Sequence, residues 1–360
     1  MRAAVMHGRK DIRIEELPRP VPGPDELVLE VHAAGVCGTD LGEYLKGPSM
    51  FPIPGPHPIT EHKGPMIPGH EFGGRIVEKG ADVDGFTDGE LLASGAGISC
   101  GTCFQCKIGA TNLCVDYVTV GLQRNGALAQ YVTVPASACL GVDNLGVADD
   151  AVALVQPMSI AVHAMRRGRP PGDEEVVVIG AGGIGAFLIY ALSRESNSSV
   201  VAVDLDEDRL SIAEALGARA TIQADQNAQE KLEAVSPHPR VVYEASGSEA
   251  GLRLALRATP PGSRIVAIGI HKTLTTLDLS RTTLEEREII GTNAHVFATD
   301  FPLAAELVAG REEGWSDLAP TALPLEDLVP VAFGEMEDRT SSRIKTLLDP
   351  WIEAPRPTRI

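Results

Sequence analysis

Apolar positions in the first third of the chain come in short runs broken by proline and glycine. Residues 3–6, 26–31, 73–78 and 128–134 each read as a strand, and Pro18-Arg-Pro-Val-Pro-Gly-Pro24 marks the kind of turn that separates them. From Met1 to about Tyr131 the pattern is all-β and predicts a small barrel-like domain. From about Ala151 to Asn293 strands and helices alternate instead. Strands end at Ile179 and Asp204, helices start at Ile184 and span 208–216, and strand 241–243, a helix from Glu249 and strands 264–268 and 288–290 follow. Such alternation implies a parallel sheet covered on both faces. Beyond Val296, a helical pattern at 303–308 and a last strand at 344–348 return to the first domain, giving segments 1–155, 156–295 and 296–360. The predicted fold class is α/β, with a β-rich domain interrupted by a doubly wound parallel sheet.

The segment 176–193 carries no charge and is about as long as a membrane span. Glycines in its first half, and Asp173, Glu174 and Glu175 just before it, favour a buried strand, turn and helix instead. Val176 to Ile179 are β-branched, and Gly180, Gly182 and Gly185 satisfy G-x-G-x-x-G where that strand must turn. Gly180 allows the tight turn, Gly182 lets the backbone approach a pyrophosphate, and Gly185 lets the helix pack on the sheet. Gly183 and Ile184 complete the turn, whose free N–H groups and positive helix end would hold phosphates. Asp204 closes a second strand 19 residues after Gly185, where a carboxylate can accept from an adenine ribose and repel a 2′-phosphate. That points to NAD over NADP. Arg209, Ser246, Ile268 and Gly269 are further candidate cofactor contacts, the last three at strand ends that could equally be ordinary turns.

A chain of 360 residues is long enough for two cores. Its net charge of −18 argues against nucleic acid as a partner, and solubility is the expected consequence. Residues 1–16 lack the apolar core of a signal peptide, so a cytoplasmic protein with no membrane partner is expected. Four of the six cysteines cluster as Cys100-x2-Cys103-x2-Cys106-x7-Cys114 in a lobe at 95–116, which fits metal ligation in a reducing compartment. Four thiolates make a closed tetrahedral zinc site that staples a loop, with an iron–sulfur cluster as the other metal such a set accepts. A second, dispersed set is Cys37, His70 and Glu71, one soft anion, one imidazole and one carboxylate, able to hold zinc with a position left for substrate. Cys139 has no Cys or His neighbour and reads as an ordinary buried residue; His163, on an apolar helical run, reads as a core histidine. Tyr44 and Phe297 fit either a pocket wall or the core.

With these motifs in place, the chain resembles, over essentially its whole length, the zinc-containing medium-chain dehydrogenase/reductase family of the alcohol dehydrogenase superfamily. It is most like the butanediol, sorbitol and threonine dehydrogenase branch. The likeness rests on Cys37-Gly-Thr-Asp40, Gly69-His-Glu-Phe72, the four-cysteine lobe, Gln156-Pro-Met-Ser-Ile-Ala-Val-His163, and the glycine turn with Asp204. The Pro-rich insert 47–64 resembles that of butanediol dehydrogenases. The resemblance implies a GroES-like catalytic domain interrupted by a Rossmann domain, with zinc and nicotinamide meeting in the cleft between them. It implies Cys37, His70 and Glu71 as catalytic zinc ligands, Thr39 as the hydroxyl that passes the substrate proton, the cysteine lobe as a structural zinc site, NAD as cofactor, and a homodimer or homotetramer.

Two positions depart from the branch. Gln156 stands where Glu is usual, and Gly42 where a relay histidine is usual. If the Gln156 carbonyl oxygen binds zinc, the charges of Cys37 and Glu71 cancel the metal's, and a neutral centre is the stronger Lewis acid. A Gln here is also similar to the archaeal-type glucose dehydrogenases. Water, His57 or His62 would have to replace the missing relay. The expected activity is hydride transfer between a secondary alcohol, a diol or polyol of the butanediol and acetoin kind, and NAD. The alternatives are a sugar dehydrogenase, an alcohol dehydrogenase of a specialised pathway and, from another class, an inactive zinc-stabilised dinucleotide-binding protein. Retention of all three ligands and Thr39 favours an enzyme.

Overall fold

The computed structural model describes residues 1–170, 172–271, 274–338, 340 and 343–360. Two compact units emerge, one of Met1–Ser159 with Val296–Ile360 and one of Ile160–His295. No helix among the described residues is long and apolar enough to cross a membrane.

The first unit opens with β1 (Arg2–Gly8), β2 (Asp11–Glu16), β3 (Glu26–Val36), α1 (Gly38–Lys46), β4 (Glu71–Lys79) and β5 (Leu91–Ser94). A small lobe carries β6 (Gly97–Ile98), α2 (Phe104–Lys107) and β7 (Val118–Thr119), before β8 (Tyr131–Pro135), β9 (Cys139–Gly141) and α3 (Val155–Gly168). The change of unit falls inside α3, after Ser159, a few residues later than the sequence pattern placed it. The second unit holds β10 (Glu175–Ile179), α4 (Gly183–Glu195), β11 (Ser199–Asp204), α5 (Glu207–Ala215), β12 (Ala220–Gln223) and α6 (Ala228–Val235). It continues with β13 (Val241–Glu244), α7 (Glu249–Ala258), β14 (Arg264–Ala267), α8 (Leu279–Leu284) and β15 (Glu288–Gly291). The chain then returns to the first unit as α9 (Phe297–Ala309), β16 (Thr321–Leu323), α10 (Gly334–Asp338), β17 (Thr346–Leu348) and β18 (Arg356–Pro357).

In the first unit β3 is the hub of an eight-stranded sheet ordered β18-β16-β17-β3-β4-β5-β9, with β8 also pairing β3. Its inward residues Leu27, Leu29 and Val31 are fully buried, as the apolar run predicts. One strand went unread in the sequence and another starts later than expected. The charged segment after Gly8 is a strand, β2, because it pairs only with β1 and its side chains stay half exposed, a place that tolerates charge. The strand expected from residue 128 begins at Tyr131, because the backbone of Leu128 and Gln130 bonds to Ala4 and Arg2 instead.

The second unit is a six-stranded sheet, every pair parallel, ordered β12-β11-β10-β13-β14-β15. Strand order reverses beside β10, and in open α/β sheets such a reversal opens a crevice at the carboxyl ends of the strands. The core has Val177, Ile179, Val201, Val203, Val242 and Ile265 on one face of the sheet. Strand β12 escaped the sequence reading because it is four residues long at a sheet edge, and only Ile222 within it is fully buried.

The C-terminal tail is held to the first unit by charge. Asp150, fully buried, accepts from Arg356 at 2.6 and 2.9 Å and from the Arg359 amide at 2.7 Å. Burial pushes this carboxyl up, but Arg356 and the Arg359 amide outweigh it, and it ionises below the usual carboxylate range. A depressed folded-state pKa stabilises the fold above the unfolded value, about 3.9, and the contribution disappears as pH falls through the lower, folded value. Asp150→Asn should therefore cost about 2 kcal/mol at pH 7, less than a fully dry pair because Arg356 is partly exposed. The gap to wild type should close below about pH 4 in urea melts. A gap independent of pH would show that shape, not charge, holds the tail.

Candidate active site

Strand pairing gathers the first set of ligands. Cys37 caps the N-terminus of α1 directly after β3, and its N–H donates to Asp40 Oδ2 at 3.0 Å, which fixes the turn. Gly69 has φ +101 and no space for a Cβ against the Leu128 amide, so the chain enters β4 on one path, with His70 last before the strand. Glu71 starts β4 opposite Gly35 of β3. The result is that one ligand atom each from Cys37, His70 and Glu71 lie within 4.8 Å of one another.

The pocket around them is buried and anionic. His70 and Glu71 are 7% and 1% exposed, and Asp40 is 1% exposed with Oδ1 at 3.6 Å from His70 Nδ1. That separation is too long for a hydrogen bond, and His70 Nδ1, Asp40 Oδ1 and Glu71 Oε2 are all buried with no hydrogen-bond partner. Burial works against a proton on His70, yet Cys37 and Asp40 raise its pKa well above the ordinary value. A pocket that attracts a cation so strongly, lined by a sulfur, an imidazole and a carboxylate with orphaned atoms, fits zinc.

One further charge was invisible in the sequence. Lys345, just before β17, is buried and forms an ion pair with Glu71 Oε2, without the alignment of a hydrogen bond. Its pKa is raised: burial lowers it, and Glu71, Cys37 and Asp40 more than compensate. The neutral sum drawn from Cys37 and Glu71 alone is thus incomplete, because it omits a buried carboxylate at Asp40 and a buried cation at Lys345. No spacing rule could have found Lys345, which is far from the motif in sequence and near it only through the pairing of β17 with β3.

The other expected residues of this unit are placed as follows. Thr39 is the second residue of α1, half-buried, and Gly42 lies on the same helix with nothing within 4 Å of an added Cβ. Gln156 is buried near the start of α3, its backbone carbonyl accepting from Ser159. His57 is occupied as a turn brace, its Nδ1 accepting from the Ile59 and Thr60 amides. His62 Nε2 is buried without a partner. Tyr44 packs on Phe333 and Phe297 stacks on Phe301, both at ring distances near 5 Å (5.1 and 4.9 Å). Glu43, unremarked in the sequence, is buried and accepts from the amides of Ser49 and Met50 at 2.8 and 3.1 Å, which anchors the start of the insert to α1.

In the lobe, the sulfurs of Cys100, Cys103, Cys106 and Cys114 lie within 4.8 Å of one another. A tetrahedral ion with arms of about 2.3 Å sets sulfurs about 3.8 Å apart. Cys103 lies 3.5 Å from Cys106 and 3.9 Å from Cys114, close to that figure and far from a disulfide. Amides of Cys100, Cys103 and Asp116 point at these sulfurs. Hydrogen bonds from Thr102 pull Cys100 down to about 6, while burial and the neighbouring thiols push Cys106 up to about 11. Four sulfurs so crowded ionise together only around a cation, and this set fits a closed zinc site. Cys139 is buried, with burial raising its pKa, and His163 is buried within α3.

In the second unit the glycine turn has the geometry a dinucleotide needs. Gly180 has φ +97, and Gly182 is the N-cap of α4, where an added Cβ would meet only Arg209 Nη1 at 3.4 Å. A Cβ on Gly185 would lie 1.7 Å from the Gly180 carbonyl oxygen, so α4 packs on the turn with no side chain between. Gly183 and Ile184 form the first turn of α4, with the dipole's positive end toward the bend. Asp204 accepts from the Ala181 amide at 2.6 Å and the Asp206 amide at 3.0 Å, which places its carboxylate beside the turn. Arg209, on α5, has a buried Nε with no hydrogen-bond partner, 4.0 Å from Asp206 Oδ2. Ser246 donates its amide to Glu244 at 2.9 Å, and the amides of Ile268 and Gly269 donate to the Glu244 carbonyl. Glu244, fully buried and also bonded to His271 at 3.0 Å, ties the turns after β13 and β14 together; the sequence offered no sign of it.

Comparison with known proteins gives the family and the fold. The alcohol dehydrogenase GroES-like domain family matches residues 23–144, and the zinc-binding dehydrogenase family matches residues 183–310. Sorbitol dehydrogenase of Bos taurus is 30% identical over 329 residues, 89% of each chain. The crystal structure of 2R,3R-butanediol dehydrogenase from Bacillus subtilis superposes with a TM-score of 0.88 at 28% identity, covering 97% of this chain and 99% of that one. A short chain alcohol dehydrogenase (rspB) from E. coli CFT073, complexed with cofactor NADH, superposes with a TM-score of 0.86 at 25% identity, covering 97% and 99%.

Proposed function

Because this chain belongs to the zinc-containing alcohol dehydrogenase family of medium-chain dehydrogenases, we propose that it interconverts a secondary alcohol, a vicinal diol or polyol, and its ketone with NAD. The observation that carries the reading is the triad of Cys37, His70 and Glu71, the last two buried, with its ligand atoms within 4.8 Å of one another and His70 Nδ1 lacking a hydrogen-bond partner.

Bound zinc supplies a Lewis acid that makes an alcohol deprotonate near neutral pH, and bound nicotinamide supplies the hydride acceptor. The chain's own residues do the rest. Cys37, His70 and Glu71 hold the metal, with Gln156 proposed as a fourth, neutral donor. Asp40 faces His70 and orients the ring, the usual task of a carboxylate behind a metal-bound histidine. Thr39 takes the hydroxyl proton. Gly42 offers no onward carrier, so the proton leaves through water, for which the open space beside Gly42 leaves room. The amides of the 180–185 turn bind the pyrophosphate, and Asp204 accepts from the adenine ribose. The lobe at Cys100, Cys103, Cys106 and Cys114 holds a second, structural zinc.

A panel of diols, polyols, aldoses and threonine with NAD, followed by nicotinamide absorbance, tests the assignment. Turnover of vicinal diols supports it, preference for aldoses replaces it with the sugar reading that Gln156 favours, and no turnover of any of them overturns it. Asp204→Ser tests the cofactor. Loss of a charge-assisted hydrogen bond should lower kcat/KM for NAD by about 10- to 100-fold. NADP should improve, because Arg209 beside the turn can then meet a 2′-phosphate without repulsion from Asp204. Unchanged selectivity would remove Asp204 from the ribose site.

A further inference from the structure

We infer that Lys345 is a positioning residue for the metal centre, the counter-charge that keeps the occupied site from becoming anionic and confines Glu71 to one oxygen toward the metal. The inference rests on the zinc reading proposed above.

Three observations carry it. First, Lys345 and Glu71 form a doubly buried pair, their side chains 6% and 2% exposed. Burying two charges is costly, and a hydrophobic pair of similar volume would serve the fold as well, so fold stability does not account for the pair. Second, the sheet is built around the contact. Gly35 of β3 pairs with Glu71 on one side and Leu347 on the other, and a Cβ at Gly35 would meet both Glu71 Oε2 and Lys345 Cε, the latter at 3.0 Å. A bare glycine is what lets a lysine on β17's side of the sheet reach across to β4. Third, the pocket holds a second buried carboxylate, Asp40, with Oδ1 at 3.6 Å from His70 Nδ1, so the charge of Lys345 answers more than one anion.

The charges decide what this does. A dication with Cys37 as thiolate, Glu71 and Asp40 as carboxylates and a neutral imidazole sums to one negative charge. Lys345 brings the sum to zero. Without it the site would grip zinc harder and polarise an alcohol less, since each added anion stabilises the metal and not the deprotonated substrate. With one carboxylate oxygen held by Lys345, the metal has only the other, so a second oxygen does not close the position that substrate needs.

The test compares the full chain, metal-loaded, with Lys345→Met and Lys345→Gln. The glutamine variant keeps a donor for Glu71 and removes only the charge, so it carries the test should the methionine variant not fold. In competition with a zinc-binding dye, both should hold zinc at the Cys37 centre about 10- to 100-fold more tightly than wild type. The cobalt-substituted form reads the coordination directly, its sulfur charge-transfer bands separating a one-thiolate centre from the four-thiolate lobe. The methionine variant's visible bands should weaken as Glu71 closes on the metal with both oxygens, and kcat should fall about tenfold. Unchanged or weaker zinc affinity in the glutamine variant, with an unchanged cobalt spectrum, would overturn the role of Lys345. A wild-type chain that shows only the four-thiolate cobalt spectrum would overturn the zinc reading beneath it.

Discussion

Replacing His70 with alanine should reduce alcohol oxidation by about a thousandfold or more and leave one zinc per chain where wild type should bind two. A Lewis acid is worth several kcal/mol to the transition state, and each 1.36 kcal/mol is about tenfold in rate. His70 is proposed as the neutral donor of a triad whose other members are anions, and its buried ring faces Asp40 Oδ1 at 3.6 Å. Removing it leaves Asp40 Oδ1, which has no hydrogen-bond partner, facing a cavity. The lobe sulfurs belong to a separate cluster and should keep their zinc. Metal analysis by mass spectrometry alongside steady-state rates settles the matter. Two zincs retained, or a rate within tenfold of wild type, would mean that the catalytic ion is held elsewhere.

Replacing Gly185 with alanine should remove dinucleotide binding and destabilise the second unit by about 3 kcal/mol or more. The new methyl would sit 1.7 Å from the Gly180 carbonyl oxygen, and that atom is backbone in a turn whose own φ of +97 no ordinary residue readily adopts. Neither side can yield without moving α4 off the sheet, a cost above ordinary overpacking. The turn that moves is the one whose amides would meet the phosphates, so affinity and stability should fall together. Gly172→Ala is the control, because a Cβ there meets nothing within 4 Å. NADH fluorescence titration and thermal melts read the two effects. An alanine variant that binds NADH and melts like wild type would show that the tight turn is not what positions the phosphates.

Much of this was legible without coordinates. The β-branched run 176–179, three glycines in register and Asp204 at the next strand end define a strand, turn and helix through local backbone demands, and such demands are written residue by residue. The metal sets were legible for a similar reason, since few residue types bind zinc and their spacing in the lobe is short. Elements with weak patterns were missed. Strands β2 and β12 bury few apolar side chains and are defined mainly by their pairing partners, and the first residues of β4 were left out, although β4 starting at Glu71 is what sets that carboxylate opposite Gly35.

By itself the sequence determined the two-part α/β organisation, the four-cysteine lobe, the glycine turn with Asp204, and the identities of Cys37, His70 and Glu71, because each follows from local chemistry or from periodicity along the chain. Only the tertiary structure decided where each unit's buried charges sit: in the first, Asp40 turned toward His70, Glu43 gripping the start of the insert and Lys345 reaching Glu71 through the gap at Gly35; in the second, Glu244 joining two strand-end turns. The physical reason is that charge acts through space. Lys345 and Glu71 lie at opposite ends of the chain and meet because β17 and β4 both pair with β3, a register that no stretch of either strand encodes alone.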